Sequence, residues 1–357
     1  MRVERFDTIV IGAGQAGLAV GHHLAARDLD FVILDAERAV GDGWRRRWDS
    51  LRLFTPAVYS GLPGMPFPAP ASHLPDKDEV ADYLTRYAER FDLPIRPETR
   101  VESLGWDGER FVVRAGSMTL EASTVVVATG PFHQPRVPAV ATRLSPEIHQ
   151  LHSSEYRSPF DLPDGPALVV GAGNSGAQIA LELARFRKVW LAGRETGHLP
   201  RRLMGRDLYD WLWPVLTRAT VDTRLGRRLR ERARRGDPLI GIPERQLTDV
   251  GIVRLGRLTE ERGGLPVCDG EVLHPRVVIW CTGFSPDYRW IQLPVPVLDE
   301  HGGPRHRRGV ATDAPGLYFV GLRFQHRVTS ALIGGVGADA EFIAEQVAQR
   351  CEALVPV

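Results

Sequence analysis

The chain has 357 residues, 43% of them hydrophobic and 25% charged, a length that predicts two domains and a composition that excludes a small disulfide-stapled module or a disordered chain. Its 45 basic residues balance 44 acidic ones, so no global basic field draws it to nucleic acid. Cys268, Cys281 and Cys351 form no CxxC pair and no apolar run reaches membrane-spanning length, which argues against structural zinc or an integral membrane segment and for the reducing cytoplasm. In chain order, FDTIVI predicts a strand over 6–11, a glycine turn GAGQAG at 12–17, a helix over about 16–26 and a second strand FVILD at 31–35. Gly12 permits the tight turn, Gly14 lets backbone approach a pyrophosphate, and Gly17 lets the helix pack on the strand. Phosphate then sits on the helix N-terminus, where Gln15 and Ala16 stand. Asp35 closes the second strand at about the 20-residue distance where an acid accepts ribose hydroxyls.

Residues 99–130 read as a small antiparallel meander ending in VVVATG, and VVIWCTGF at 277–284 repeats that ending. Each is a strand leading into a small-residue turn where the chain crosses between domains, which makes Ala128, Thr129, Gly130, Thr282 and Gly283 cofactor-binding candidates. Between them, residues 167–194 repeat the first grammar with Gly171, Gly173 and Gly176, and with Asn174 and Ser175 at the helix start. Two dinucleotides are implied. Arg194 occupies the place that held Asp35. An acid there would repel a 2′-phosphate, whereas a guanidinium offers it a bidentate contact, so NADPH is favoured over NADH, with Arg201 and Arg202 as helpers.

Residues 203–216 are rich in leucine and tryptophan, and the arginine-rich 218–235 places Leu225, Leu229 and Ala233 at helical spacing. The readings are an amphipathic excursion with arginines in water, an apolar lid over a substrate channel, a homodimer contact, or an acidic- or membrane-surface patch. Trp211 and Trp213 favour the lid or the contact. Near the C-terminus a strand over 310–321 runs to Gly321, and a glycine turn opens a helix within 331–350 whose N-terminus can meet a phosphate or a ring edge. The eleven histidines form no metal motif and no Ser/His/Asp spacing stands out, so hydrolase and metalloenzyme readings fall away. His152, in HSSEYR, reads as a candidate functional histidine or as a residue that fixes a loop by hydrogen bonding.

On these motifs the chain resembles the class B flavoprotein monooxygenases. It is most similar to the bacterial relatives of flavin-containing monooxygenases and to plant indole-3-pyruvate monooxygenases. The stretches that carry the resemblance are GAGQAG, GDGWRRRWDSLRLFTP (41–56), HSSEYR (152–157), GAGNSG and CTGFSPD (281–287). It implies an α/β fold of two Rossmann-like dinucleotide-binding domains, for FAD and NADPH, with a small antiparallel β-meander. The FAD domain would be discontinuous, 1–160 and 287–357. The NADPH domain, 161–286, would be inserted with a helical excursion at about 203–245. Gly43 and Trp44 would join the flavin pocket. The implied activity is NADPH-dependent insertion of one oxygen atom from dioxygen into a small organic substrate through a flavin hydroperoxide. The implied substrate is a soft nitrogen or sulfur nucleophile, a ketone or a 2-oxo acid. Flavin-containing monooxygenases carry an asparagine that supports the oxygenated flavin where this chain has Phe54 and Thr55. Two alternatives stay open: an NADPH-dependent flavin reductase passing electrons to a protein or quinone, and a flavoprotein redox sensor partnering a transporter. The lack of a CxxC pair counts against a disulfide reductase.

Overall fold

The computed structural model describes residues 3–234 and 236–354; Arg235, one of the arginines of the 218–235 segment, lies outside them. Strand Val3–Ile11 is buried from Thr8 onward because parallel neighbours cover both its edges, Met118–Val127 on one side and Phe31–Leu34 on the other. Ile95–Arg96 extends the sheet beyond Phe31–Leu34, and Leu317–Phe319 pairs with the far edge of Met118–Val127. The expected meander is present: Ser103–Trp106 and Phe111–Ala115 run antiparallel onto the first half of Met118–Val127. Helices Gln15–Ala25, Lys77–Arg90 and Gly337–Leu354 share one apolar cluster on one face of the sheet, through Leu18, Leu24, Tyr83, Tyr87, Ile343 and Val347. A capping box of Asp76 and Glu79 starts the second of them.

The second sheet repeats this plan with parallel strands only. Ala167–Val170 is central, Val189–Ala192 and Val253–Leu255 lie to one side, and Val277–Trp280 and His149–His152 lie to the other. The order matches the first sheet strand for strand, with one difference. The fifth strand of the first sheet comes from near the C-terminus, whereas that of the second precedes its own fingerprint.

His149–His152 therefore belongs to the second sheet, although the division expected at 160/161 puts it in the first domain. Its register of four pairs with Val277–Trp280 is the reason. The segment after the first fingerprint also reaches across: Trp48 and Leu51 are buried in the second unit's core with Tyr156, Ala177 and Ile179. The chain crosses between the units along two short antiparallel strands, Gln134–Pro135 and Phe284–Ser285. Among the described residues no helix is long and apolar enough to cross a membrane.

Candidate functional site

The first glycine turn is built as its spacing requires. Gly12 has φ of 105°, and a Cβ there would meet the Ala128 carbonyl oxygen at 2.7 Å. A Cβ on Gly17 would run into the Gly12 carbonyl, so the helix lies hard against the strand. At Gly14 a Cβ would meet nothing, because this residue opens onto a cavity of about 670 Å³. The helix starts at that point with no side-chain cap and no acid in its first turn. Its orphan N–H groups and dipole thus form an anion-receptive end on the cavity wall.

Asp35 closes the wall from the next strand. Its Oδ2 accepts from the Ala13 N–H at 2.5 Å and its Oδ1 from the Glu37 N–H at 2.8 Å. Burial pushes its pKa up and these two bonds oppose the shift, with a net rise. Gly12, Gly14, Gln15, Ala16, Asp35, Gly43, Trp44, Ala128, Thr129, Gly130 and Gly321 all line this one cavity. Gly17 sits buried beneath it. The volume and the open side at Gly14 fit a dinucleotide. Thr55 is buried and bonded to Ser60 at 3.1 Å, and neither it nor Phe54 reaches the cavity lining.

Four further cavity residues were not singled out as candidates, although Arg47 and Asp287 lie in the stretches 41–56 and 281–287 that carry the resemblance. His133 Nδ1 accepts from the Asp287 N–H at 2.8 Å, which puts the proton on Nε2, 3.0 Å from Thr129 Oγ1. Burial lowers its pKa and keeps it neutral. The Asp287 carboxylate is held by Arg289 at 2.8 Å and by Gln134 at 2.5 Å, so it lies well below the usual carboxylate range. These side chains knit the two crossing strands together on the cavity wall. The fourth, Arg47, lies over the Phe132 ring, 4.8 Å from its centroid.

The second turn repeats the first. Gly171 has φ of 115°, and a Cβ there would run into the Cys281 carbonyl; one on Gly176 would run into Gly171, and one on Gly173 would meet nothing. The helix again starts without a side-chain cap or an acid. Arg194 is exposed at the end of the next strand and forms no ion pair among the described residues. Ser175 is exposed, while the Asn174 amide donates to the Pro238 carbonyl at 3.1 Å and accepts from the Ile240 N–H at 2.9 Å. Asn174 thus anchors the passing strand with its side chain.

Arg201, expected as a helper of Arg194, is engaged elsewhere: it donates to the Phe54 carbonyl at 2.7 Å and pairs with Asp207 at 2.6 Å. Arg202 is exposed. Thr282 donates to the Arg136 carbonyl, and the Gly283 carbonyl accepts from the Arg136 N–H at 2.9 Å. The buried His152 lies 3.0 Å from that same carbonyl through Nε2, the loop-fixing role its motif suggested. Burial pushes the Cys281 thiol up to about 12, which leaves it inert as a thiolate.

The excursion reaches over the first unit. Helix Leu208–Leu216 lies against Tyr59, whose hydroxyl donates to Asp210 at 2.8 Å and whose ring is 5.0 Å from that of Trp213. Trp213 is half-buried there. Trp211 is 45% exposed. Helix Arg224–Ala233 buries only Gly226, and Leu225 is exposed, so the amphipathic spacing marks a solvated helix.

Two matched cradles, the first opening on a dinucleotide-sized cavity at the crossing strands, define an oxidoreductase that uses two dinucleotides. Residues 9–218 match the family model of the pyridine nucleotide-disulphide oxidoreductases. Over 96% of its length the chain is 44% identical to a CzcO-like oxidoreductase of Geobacillus kaustophilus, spanning 98% of that protein. It is 30% identical to an indole-3-pyruvate monooxygenase of Oryza sativa over 96% of this chain and 87% of that one. A flavin monooxygenase structure from Stenotrophomonas maltophilia matches at 28% identity with a TM-score of 0.81, covering 98% of this chain and 99% of the other. The chain belongs to the pyridine nucleotide-disulphide oxidoreductase family and, within it, to the class B flavoprotein monooxygenases. The cofactors of that class are FAD and NADPH, and the two cradles fit that pair.

Proposed function

We propose that the protein is an NADPH-dependent flavin monooxygenase that inserts one atom of dioxygen into a small organic substrate at the junction of its two units. The observation that carries this reading is the repeated cradle with opposite charges at one place, Asp35 in the first copy and Arg194 in the second. The first cradle would take FAD, its pyrophosphate on the N–H groups at Gly14 to Ala16 and its ribose on Asp35. Gly43, Trp44, Ala128, Thr129, Gly130 and Gly321 complete that wall. The second would take NADPH between Gly173 and Thr282, with Arg194 on the 2′-phosphate. FAD, when bound, supplies electron transfer and activation of dioxygen; the protein aligns the two cofactors and keeps water out. The functional division would place residues 149–286 with NADPH and the flanking segments with FAD. Three free cysteines support a cytoplasmic setting.

Turnover of the purified holoenzyme under ¹⁸O₂ with NADPH tests the reading. Sulfides, amines, ketones and 2-oxo acids form the substrate panel. The expected result is a product carrying one labelled oxygen, with hydrogen peroxide well below the NADPH consumed. Full recovery of the electrons as peroxide with every substrate would overturn it.

A further inference from the structure

Arg47 is a cation without an acid. Its half-buried guanidinium lines the cavity beside a pair of rings packed edge to face, 4.8 Å from the centroid of Phe132 and 6.0 Å from that of Phe284. Among the described residues it makes no ion pair. The acids that might answer it are occupied: Asp287 on the same wall by Arg289 and Gln134, and Glu37 by Arg46. Burial disfavours its charged form, and the neighbouring charges of Arg157 and Arg46 have its own sign. Ring faces attract a cation, but they do not cancel like-charge repulsion in a partly desolvated setting. Such a group is arranged to receive an anion.

Its place in the chain narrows which anion. Trp44 packs against the cores of both units, and Trp48 is buried in the second, so Arg47 stands on the seam between them. Phe132 precedes one crossing strand and Phe284 opens the other, one from each passage of the chain. An FAD pyrophosphate already has receiving groups in the uncapped helix start at Gly14. A planar fork of donors beside a pair of aromatic rings suits an oxyanion carried on an apolar or aromatic body.

We propose that Arg47 is the anion-receiving residue of the junction, taking an oxyanion brought by the reaction's small molecules, either a substrate carboxylate or a phosphate of the nicotinamide coenzyme. The inference rests on the monooxygenase reading above for the presence of those molecules at the seam. Benzoate and its neutral counterpart benzamide, titrated into the holoenzyme and followed by flavin absorbance, probe the carboxylate arm. NADP⁺ titration by tryptophan fluorescence probes the phosphate arm, and FAD affinity is measured alongside. The variants are Arg47→Gln and Arg47→Lys.

On the carboxylate arm, the wild type binds benzoate at least about tenfold tighter than benzamide. Arg47→Gln loses that preference, Arg47→Lys keeps part of it, and FAD affinity is unchanged. A drop of about tenfold in NADP⁺ affinity in Arg47→Gln, without any preference for benzoate, assigns the anion to the coenzyme. Unchanged benzoate and NADP⁺ binding in both variants overturns the proposal, as does a loss confined to FAD. Failure of the monooxygenase reading would show instead as the absence of labelled product, with these binding equilibria intact.

Discussion

Asp35 binds its own loop before it binds anything else, since both carboxylate oxygens already accept backbone N–H groups from Ala13 and Glu37. Removing it therefore loosens the glycine turn and takes away the ribose acceptor together. Asp35→Ala should weaken FAD binding by about tenfold or more, on the order of 1.5 to 3 kcal/mol for a charged hydrogen-bonding group, read by flavin fluorescence on reconstitution. Donors from the turn and the ribose favour the carboxylate, so FAD affinity is present above the pKa of Asp35 and falls as pH drops through it. Burial raises that pKa, so the fall begins at a higher pH than for an exposed aspartate. In the apoprotein the sign reverses: the raised pKa contributes stability that is present at low pH and lost as pH rises through it. Asp35→Asn should flatten both dependences. Arg194→Ala is the matching experiment in the second cradle. Its Michaelis constant for NADPH should rise by at least about tenfold, or 1.4 kcal/mol, with little change for NADH. An equal effect on both coenzymes would remove Arg194 from the 2′-phosphate. The positions of these two residues were legible because a strand end after a glycine turn is a fixed address. His133 and Asp287 were not, because their bond joins positions 154 residues apart and no local period announces it.

At the scale of elements, helix Leu208–Leu216 shows how composition misleads without a partner surface. Two tryptophans in one apolar turn favoured a lid or a contact for both alike, yet Tyr59 and Asp210 fix the helix so that Trp213 is the one that faces the first unit. Trp211 instead donates to the Leu203 carbonyl at 3.3 Å and stacks on Arg206. The excursion holds the first unit elsewhere too, through Arg201 on the Phe54 carbonyl and an Arg323–Asp237 pair at 2.8 Å. Trp213→Ala should cost on the order of 2 kcal/mol by urea unfolding for its half-buried area, and should raise the share of NADPH electrons released as peroxide. Trp211→Ala should stay within about 0.5 kcal/mol and leave coupling unchanged. A lower mass in sedimentation for Trp211→Ala would identify a homodimer contact instead. The meander and both fingerprint helices were readable in the sequence because their apolar residues face one core each.

The two sheets share one strand order, and their cofactor turns should fail independently. Gly171 has a positive φ and no room for a Cβ, so Gly171→Ala should strain the second turn by more than about 1 kcal/mol. The purified variant should remain yellow and accept electrons from dithionite, but not from NADPH. Gly12→Ala should instead emerge colourless. The strand order itself was only half legible. His149–His152 is too short and too polar to announce its sheet, and only its register with Val277–Trp280 assigns it. That placement sets a timetable for synthesis on the ribosome. All five strands of the second sheet lie within residues 149–280, so they are complete once Trp280 has emerged. The first sheet, though begun earlier, still lacks Leu317–Phe319 and the helix Gly337–Leu354 that covers it. The later unit can therefore close first. The earlier one, with Trp48 and Leu51 already lodged in its neighbour's core, must wait for the helix Gly337–Leu354 to emerge before it can finish its own.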